Sequence, residues 1–324
     1  MIQDSILMND WHPVFRSDAL VQGEPQSVRL LGEDLVLWRS VNGVHAWKDL
    51  CIHRGTRLSL GKAHQGTLSC PYHGWVYDAS GQCIHIPAHP EQKPPAKAHV
   101  VVYQAQEKYG MVWVCLGQPD QDIPAFPEEA DPAFRKLLTG PFPPMRTNGL
   151  RIIENFLDVT HFPFVHGGIL GDVSQPQISD YHVEGDELGL VALDIFAYQP
   201  DPYGAGSGET VRYTYRVFRP LTAYLAKDAP DGSRLTLMLS LTPLDELLTS
   251  AWFYGAINEK IDISARDWDN FQSKIFSQDV PIVESQRPEM LPLDLQAELH
   301  LRSDRLAIAY RRWLKELGLT YGVI

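Results

Sequence analysis

The sequence predicts an α+β protein of two domains, an all-β N-terminal domain followed by an antiparallel sheet packed against helices. Three observations predict it. Short apolar-rich runs broken by tight-turn signals fill residues 10–117. Prolines 119, 124, 127, 132, 141, 143 and 144 then punctuate 118–144, which reads as a connector of irregular or extended backbone. Beyond it, in 145–324, longer strand-like runs are followed by two segments with helical spacing.

Taken in order, runs at 35–40 and 44–47 flank Val41-Asn42-Gly43, and Asn-Gly between apolar runs signals a hairpin. Asp78-Ala79-Ser80-Gly81 reads as the turn leading into 83–86, and 100–104 pairs naturally with 111–116. The second domain opens on a helix-like stretch at 152–159. Strand-like runs follow at 188–199, 209–219, 234–242 and 249–257, then helices at 260–277 and 304–317. In the last of these, Leu306, Tyr310, Trp313 and Leu317 recur at helical spacing.

Composition narrows the class. A chain of 324 residues, 44% apolar and 21% charged, can bury a substantial core. The net charge of −12 argues against nucleic acid as a partner. No apolar run approaches the roughly 18 residues of a membrane span. The N-terminus, Met1-Ile2-Gln3-Asp4-Ser5, lacks an export pattern, so a cytoplasmic location is expected. In that reducing setting Cys83 and Cys115 are expected as buried thiols rather than a disulfide.

The strongest signal is a pair of Cys/His lobes, Cys51-Ile-His53-Arg-Gly55 and Cys70-Pro-Tyr-His73-Gly74-Trp75. Two thiolates and two imidazoles form the ligand set of a Rieske-type [2Fe–2S] cluster, with cysteines on one iron and histidines on the other. Zinc also takes two cysteines and two histidines, but a zinc finger groups its cysteines in one lobe and its histidines in the other. Here each lobe carries one of each, and a glycine follows both histidines. Lobes with this content predict a redox protein.

A second candidate metal site lies at Asn155-Phe-Leu-Asp158-Val-Thr-His161-Phe-Pro-Phe-Val-His166. Asp158 and His161 are three apart and are expected on one helical face. Pro163 should end or kink that helix and turn His166 back toward His161. Two histidines and a carboxylate make the facial triad of mononuclear non-haem iron. Asp279, placed after the helix at 260–277, is the candidate carboxylate, with Glu284 its rival.

The two lobes, together with N-x2-D-x2-H-x4-H at 155–166, resemble the oxygenase component of the Rieske non-haem iron oxygenases, and the likeness runs from about Trp11 to the C-terminal helix. Three stretches, 154–172 (ENFLDVTHFPFVHGGILGD), 279–288 (DVPIVESQRP) and 306–317 (LAIAYRRWLKEL), resemble the branch holding the purine and caffeine N-demethylases and the saxitoxin-pathway hydroxylases.

The resemblance implies that Cys51, His53, Cys70 and His73 hold the cluster and that His161, His166 and Asp279 hold Fe(II). It implies that Asp158 bridges to the cluster of a neighbouring subunit and that Asn155 lies near the iron. It implies a C-terminal domain of helix-grip (START-like) shape and a homotrimer without a second kind of subunit. O2 would be the co-substrate, and NAD(P)H would act through a separate flavin/iron–sulfur reductase or a ferredoxin. Arg54, Arg57 and Lys62 are candidates to meet that partner. Respiratory relatives of the cluster carry extra cysteines where Thr56 and Tyr72 stand, so a lower-potential oxygenase cluster is expected.

The expected reaction is O2-dependent hydroxylation of a small organic, aromatic or heterocyclic substrate, with N- or O-demethylation among its outcomes. Cis-dihydroxylation of an aromatic ring is the alternative, and a Rieske electron carrier joined to a small-molecule-binding domain is the alternative of another class. Candidate pocket residues are Leu157, Gly167, Gly168, Ile169, Leu170, Phe196, Met238, Trp252 and Tyr254. No charged residue stands out in the sequence as an anchor for a carboxylate substrate.

Overall fold

The computed structural model describes residues 2–202 and 208–324. The chain divides into two compact units, Met1–Ile123 and Pro124–Ile324.

The first unit opens on helix α1 (Ser5–Met8), capped by the Asp4 carboxylate, which accepts the Leu7 N–H at 2.9 Å. Strands β1 (His12–Arg16), β2 (Gln26–Leu30), β3 (Glu33–Ser40), β4 (Gly43–Lys48), β5 (Lys62–His64), β6 (Thr67–Ser69), β7 (Val76–Asp78), β8 (Cys83–His85), β9 (Val102–Lys108) and β10 (Met111–Cys115) follow. They form two antiparallel sheets, ordered β1-β10-β9-β4-β3-β2 and β5-β6-β7-β8. The expected hairpins are present. Ser40 pairs with Gly43 across Val41-Asn42, and Gly43 takes φ +121°, a conformation that favours glycine. Trp38, Trp47, Leu58, Leu68 and Tyr77 build a core that also encloses Cys51 and Cys70.

In the second unit, β11 (Phe134–Thr139) comes from the segment expected as a connector and pairs along β17 (Leu248–Asn258). Between them run α2 (Gly149–Leu157), α3 (Phe162–Val165), β12 (His182–Asp186), β13 (Gly189–Gln199), β14 (Glu209–Arg219), β15 (Thr222–Asp228) and β16 (Arg234–Asp245). The antiparallel sheet is ordered β11-β17-β16-β15-β14-β13-β12. Helices α4 (Ala265–Ser285) and α5 (Arg305–Leu317) complete the unit. A Cβ on Gly255 would lie 2.4 Å from the Trp268 ring, so β17 needs glycine there for the indole of α4 to lie flush on the strand.

Two helix boundaries correct the sequence reading. The first helix stops at Leu157, and Asp158 is already extended (φ −95°, ψ 124°). Asp158 and His161 therefore share no helical face; a turn brings them together. The later helix starts at Ala265, where the Ser264 hydroxyl caps the Asp267 N–H, and it runs through Pro281 to Ser285. Pro281 removes the N–H that would reach the Ser277 carbonyl and crowds that carbonyl, and the helix nonetheless continues one more turn to Ser285. Asp279 thus sits inside α4 rather than after it.

Candidate functional site

The two Cys/His lobes are built alike. Cys51 N–H donates to Thr56 O (2.8 Å) and Gly55 N–H to Cys51 O (2.9 Å); Cys70 N–H donates to Trp75 O (2.8 Å) and Gly74 N–H to Cys70 O (3.1 Å). Gly55 and Gly74 close these turns at φ +70° and +69°, where any other residue would be strained. The result brings all four predicted residues together. The Cys51 and Cys70 side chains interact, and the His53 and His73 rings lie 4.5 Å apart. Trp75 stacks on His53 at 4.5 Å, and the Tyr77 hydroxyl reaches Cys51 Sγ at 3.1 Å. His53 Nδ1 is buried without a hydrogen-bond partner, as an iron-binding nitrogen should be. This donor set fits a [2Fe–2S] cluster. Cys83 and Cys115 are buried free thiols, and burial pushes the Cys115 thiol up to about 11.

In the second unit His161 precedes the single turn α3 and His166 follows it, so the turn folds one imidazole back on the other. Their Nε2 atoms are 3.2 Å apart, and Asp279 Oδ1 lies 3.5 Å from His161 Nε2 and 3.2 Å from His166 Nε2. Ligands at right angles on a metal with bonds of about 2.1 Å would be about 3 Å apart. Asp279 Oδ1 is buried and accepts no hydrogen bond, the condition of an oxygen kept for a metal. The three residues fit an iron held on one face with its other positions open. Glu284, the rival carboxylate, instead accepts the Arg146 N–H at 2.7 Å.

The outer nitrogens of both imidazoles are also held. His161 Nδ1 lies 3.3 Å from Asp158 Oδ2, and Asp158 Oδ1 accepts the Thr160 N–H at 2.7 Å. Burial works to raise the Asp158 pKa, but His161 and Thr160 outweigh it and hold the carboxyl below its usual range. His166 Nδ1 lies 2.9 Å from Gln278 Oε1. That contact makes Nδ1 the protonated nitrogen and leaves Nε2 for the metal. Gln278 escaped the sequence reading; its one signal was adjacency to Asp279. Asn155 borders both the inner cavity and an outer cleft, which also holds Asp158, His161, Tyr181, Gln286 and His300.

The inner cavity, of about 100 Å³, is bounded by the three metal-binding candidates, by helix residues such as Phe156, Phe271, Gln272 and Phe276, and by one face of the sheet. Of the predicted pocket residues only Leu170 lines it. Leu157 lies in the outer cleft, and Gly168 and Ile169 line a neighbouring pocket. Gly167 sits beside His166 without lining the cavity.

Met238, Trp252 and Tyr254 belong to the sheet's other face. Tyr224, Met238 and Tyr254 form one cross-strand row there, with Phe126 edge-on against both tyrosines, and Trp252 donates to Thr242 Oγ1 at 2.8 Å. The cavity face is one residue out of step: Tyr213, Tyr215, Leu225, Lys227, Leu235, Leu237, Leu239 and Phe253. Phe196 is 44% exposed, because a bulge between Ala192 and Ile195, with Asp194 at φ +57°, reverses the facing of β13.

An iron–sulfur lobe pair in one unit, and in the other an open-sided site of two histidines and one carboxylate over an apolar cavity, define a two-centre iron redox enzyme. Residues 10–105 match the Rieske [2Fe-2S] domain and residues 145–320 the vanillate O-demethylase oxygenase C-terminal domain. The chain is 32% identical over 321 residues to methylxanthine N1-demethylase NdmA of Pseudomonas putida, covering 96% of this chain and 89% of that protein. The solved structure of NdmA with caffeine superposes with a TM-score of 0.84 at 30% identity, over 96% of this chain and 91% of that one. The chain belongs to the Rieske non-haem iron oxygenases, as the terminal oxygenase component. Its cofactors are accordingly a [2Fe–2S] cluster and a mononuclear non-haem iron, with O2 as co-substrate. A 114-residue stretch is also 40% identical to oxidoreductase NdmD of Pseudomonas putida, covering 35% of this chain and 19% of NdmD. Among the described residues no helix is long and apolar enough to cross a membrane.

Proposed function

We propose that the enzyme hydroxylates a methyl group on the nitrogen or oxygen of an aromatic or heteroaromatic ring, releasing formaldehyde and the demethylated ring. The observation that carries this reading is the placement of His161, His166 and Asp279 at the wall of a narrow cavity whose other walls are mostly Leu, Ile and Phe. Such walls hold a flat apolar ring and exclude water, leaving orientation to a few polar groups. Likeness to methylxanthine N-demethylases along nearly the whole chain supports demethylation over ring dihydroxylation. The bound iron supplies O2 activation with electrons delivered through the cluster.

In this reading Cys51, His53, Cys70 and His73 hold the cluster and His161, His166 and Asp279 hold the iron. Gln278 and Asp158 orient the two imidazoles from outside. Asp158 faces the outer cleft, the side from which the cluster of a neighbouring subunit would approach in a head-to-tail homotrimer. Arg54 and Lys62 are exposed and available to a reductase, whereas Arg57 already pairs with Asp34 at 2.8 Å. A cytoplasmic setting suits both the reductase and the two thiols outside the cluster, Cys83 and Cys115.

The test is a panel of N-methylated heteroaromatics and methoxyarenes, supplied with NADH, O2 and a surrogate reductase and read by formaldehyde and product mass. Formaldehyde equal to substrate consumed is the expected result. A cis-diol product would replace demethylation by dihydroxylation. About two rather than three irons per chain would reduce the protein to an electron carrier.

A further inference from the structure

The sheet face of the cavity is apolar except at one end. Register places Tyr213 opposite Lys227 and Lys227 opposite Leu235, so these three form one cross-strand row. The next row, Tyr215, Leu225 and Leu237, is apolar but for a single hydroxyl. Phe162 links the polar row to the iron site: its ring lies 5.9 Å from Tyr213 and 5.9 Å from His166. Phe162 thus stands in the cavity wall between the polar row and the iron site.

Lys227 is a costly residue to keep there. It is 3% exposed, and its Nζ donates to Pro202 O at 2.8 Å and to Gln199 Oε1 at 3.3 Å. Gln199, wholly buried, in turn donates to the Tyr213 hydroxyl at 2.6 Å, leaving that hydroxyl's own proton to donate onward. Burial pushes the Lys227 ammonium down to about 7, while Glu209 and Asp201 pull it back up. The second observation is Tyr215. Its hydroxyl is fully buried in the same wall and has no hydrogen-bond partner. Burial raises both tyrosine pKa values, so each stays a neutral donor. The buried Tyr215 donor is satisfied when a ligand supplies an acceptor, and the Lys227 charge in the same wall favours an anionic one.

We propose that Lys227, Tyr213 and Tyr215 form an anion subsite at one end of the catalytic cavity, which selects ring substrates carrying a carboxylate and sets which edge of the ring faces the iron. This deepens the demethylase reading and rests on it for the identity of the reacting group. Lys227 is a specificity-determining residue here, with Gln199 positioning both Lys227 and Tyr213.

The experiment uses the iron-loaded, cluster-containing enzyme and matched pairs of probes: methoxybenzoates and N-methyl heteroaromatic carboxylates against their neutral carboxamides. Binding is measured calorimetrically and turnover separately. Wild type should bind the carboxylate of at least one pair about tenfold or more tighter, the scale of a charge-assisted hydrogen bond. Lys227→Met should bring that ratio to about one, with iron content and cluster spectrum retained. Tyr215→Phe, which removes only a hydroxyl, should weaken carboxylate binding more than carboxamide binding. The proposal is overturned if no carboxylate in the panel binds better than its amide, or if Lys227→Met keeps the preference. Formaldehyde reports separately on demethylation: a carboxylate preference without formaldehyde overturns the reaction and leaves the subsite standing.

Discussion

Replacing Gln278 by leucine tests the iron site at the point where geometry makes the clearest claim. His166 is 1% exposed, so its Nδ1–H has no water to turn to and depends on Gln278 Oε1 at 2.9 Å. Leucine fills a similar volume but accepts nothing. The buried N–H is then left unsatisfied, at a cost of about 1–3 kcal/mol, or the ring takes the other tautomer and presents N–H to the metal. Either route weakens iron binding by about 10–100-fold. The assay is retention of Fe(II) against graded chelator. The cluster's visible spectrum serves as internal control, since Cys51, His53, Cys70 and His73 belong to the other unit. Gln278→Glu keeps an acceptor and should retain iron better than Gln278→Leu. A leucine variant that holds iron as tightly as wild type and turns over normally refutes the role given to Gln278.

Three further outcomes follow from the same geometry. Asp158→Ala, assayed with iron content restored, should keep cluster spectrum and substrate binding yet lose most turnover; turnover near wild type would remove Asp158 from the electron path. Tyr77→Phe removes the hydroxyl 3.1 Å from Cys51 Sγ, a bond that favours the reduced cluster. The midpoint potential should fall by on the order of 40 mV for a bond of about 1 kcal/mol, and an unchanged or higher potential in a redox titration would contradict it. Burial raises the Glu298 pKa, but Arg151 and Arg311 outweigh it and hold the carboxyl at about 2. A carboxyl with a depressed folded pKa stabilises above its unfolded value of about 4.3 and loses that contribution as pH falls toward 2. In urea titrations the advantage of wild type over Glu298→Gln should therefore be full at pH 7 and clearly smaller at pH 3; equal advantages at both would show that the ion pairs contribute nothing.

Local chemistry was the legible part of the sequence. The two lobes announce themselves because a cluster needs its ligands on short turns, and Cys51 to Gly55 repeats the Cys70 to Gly74 spacing four residues long. His161 and His166 were readable as a pair, although the helix assumed to join Asp158 to His161 is a turn. Gln278 was not readable, because its partner lies 112 residues away. Strand β15 went unseen since Thr222-Ala-Tyr-Leu-Ala-Lys-Asp228 has neither the alternation nor the β-branched content that marks a strand. It sits at the centre of the sheet, where both faces are covered and tertiary pairing overrides propensity.

The misplaced pocket residues have the same physical origin. Alternation tells the two faces of a strand apart only when one face meets water. On β16, Leu237 is 6% exposed and Met238 is 1% exposed, and β17 is buried on both sides as well. Hydrophobicity is then silent about which face borders the cavity, and a parity error on β16 carries Met238, Trp252 and Tyr254 with it through the ladder. A polar residue inside such a strand breaks the tie, since a buried charge needs hydrogen-bond partners or a polar cavity wall that a packed apolar layer does not give. Lys227 is that residue on β15. Its register with Tyr213 and Leu235 assigns the cavity face of three strands at once, and the same lysine that settles the parity is the one that gives the cavity its polar end.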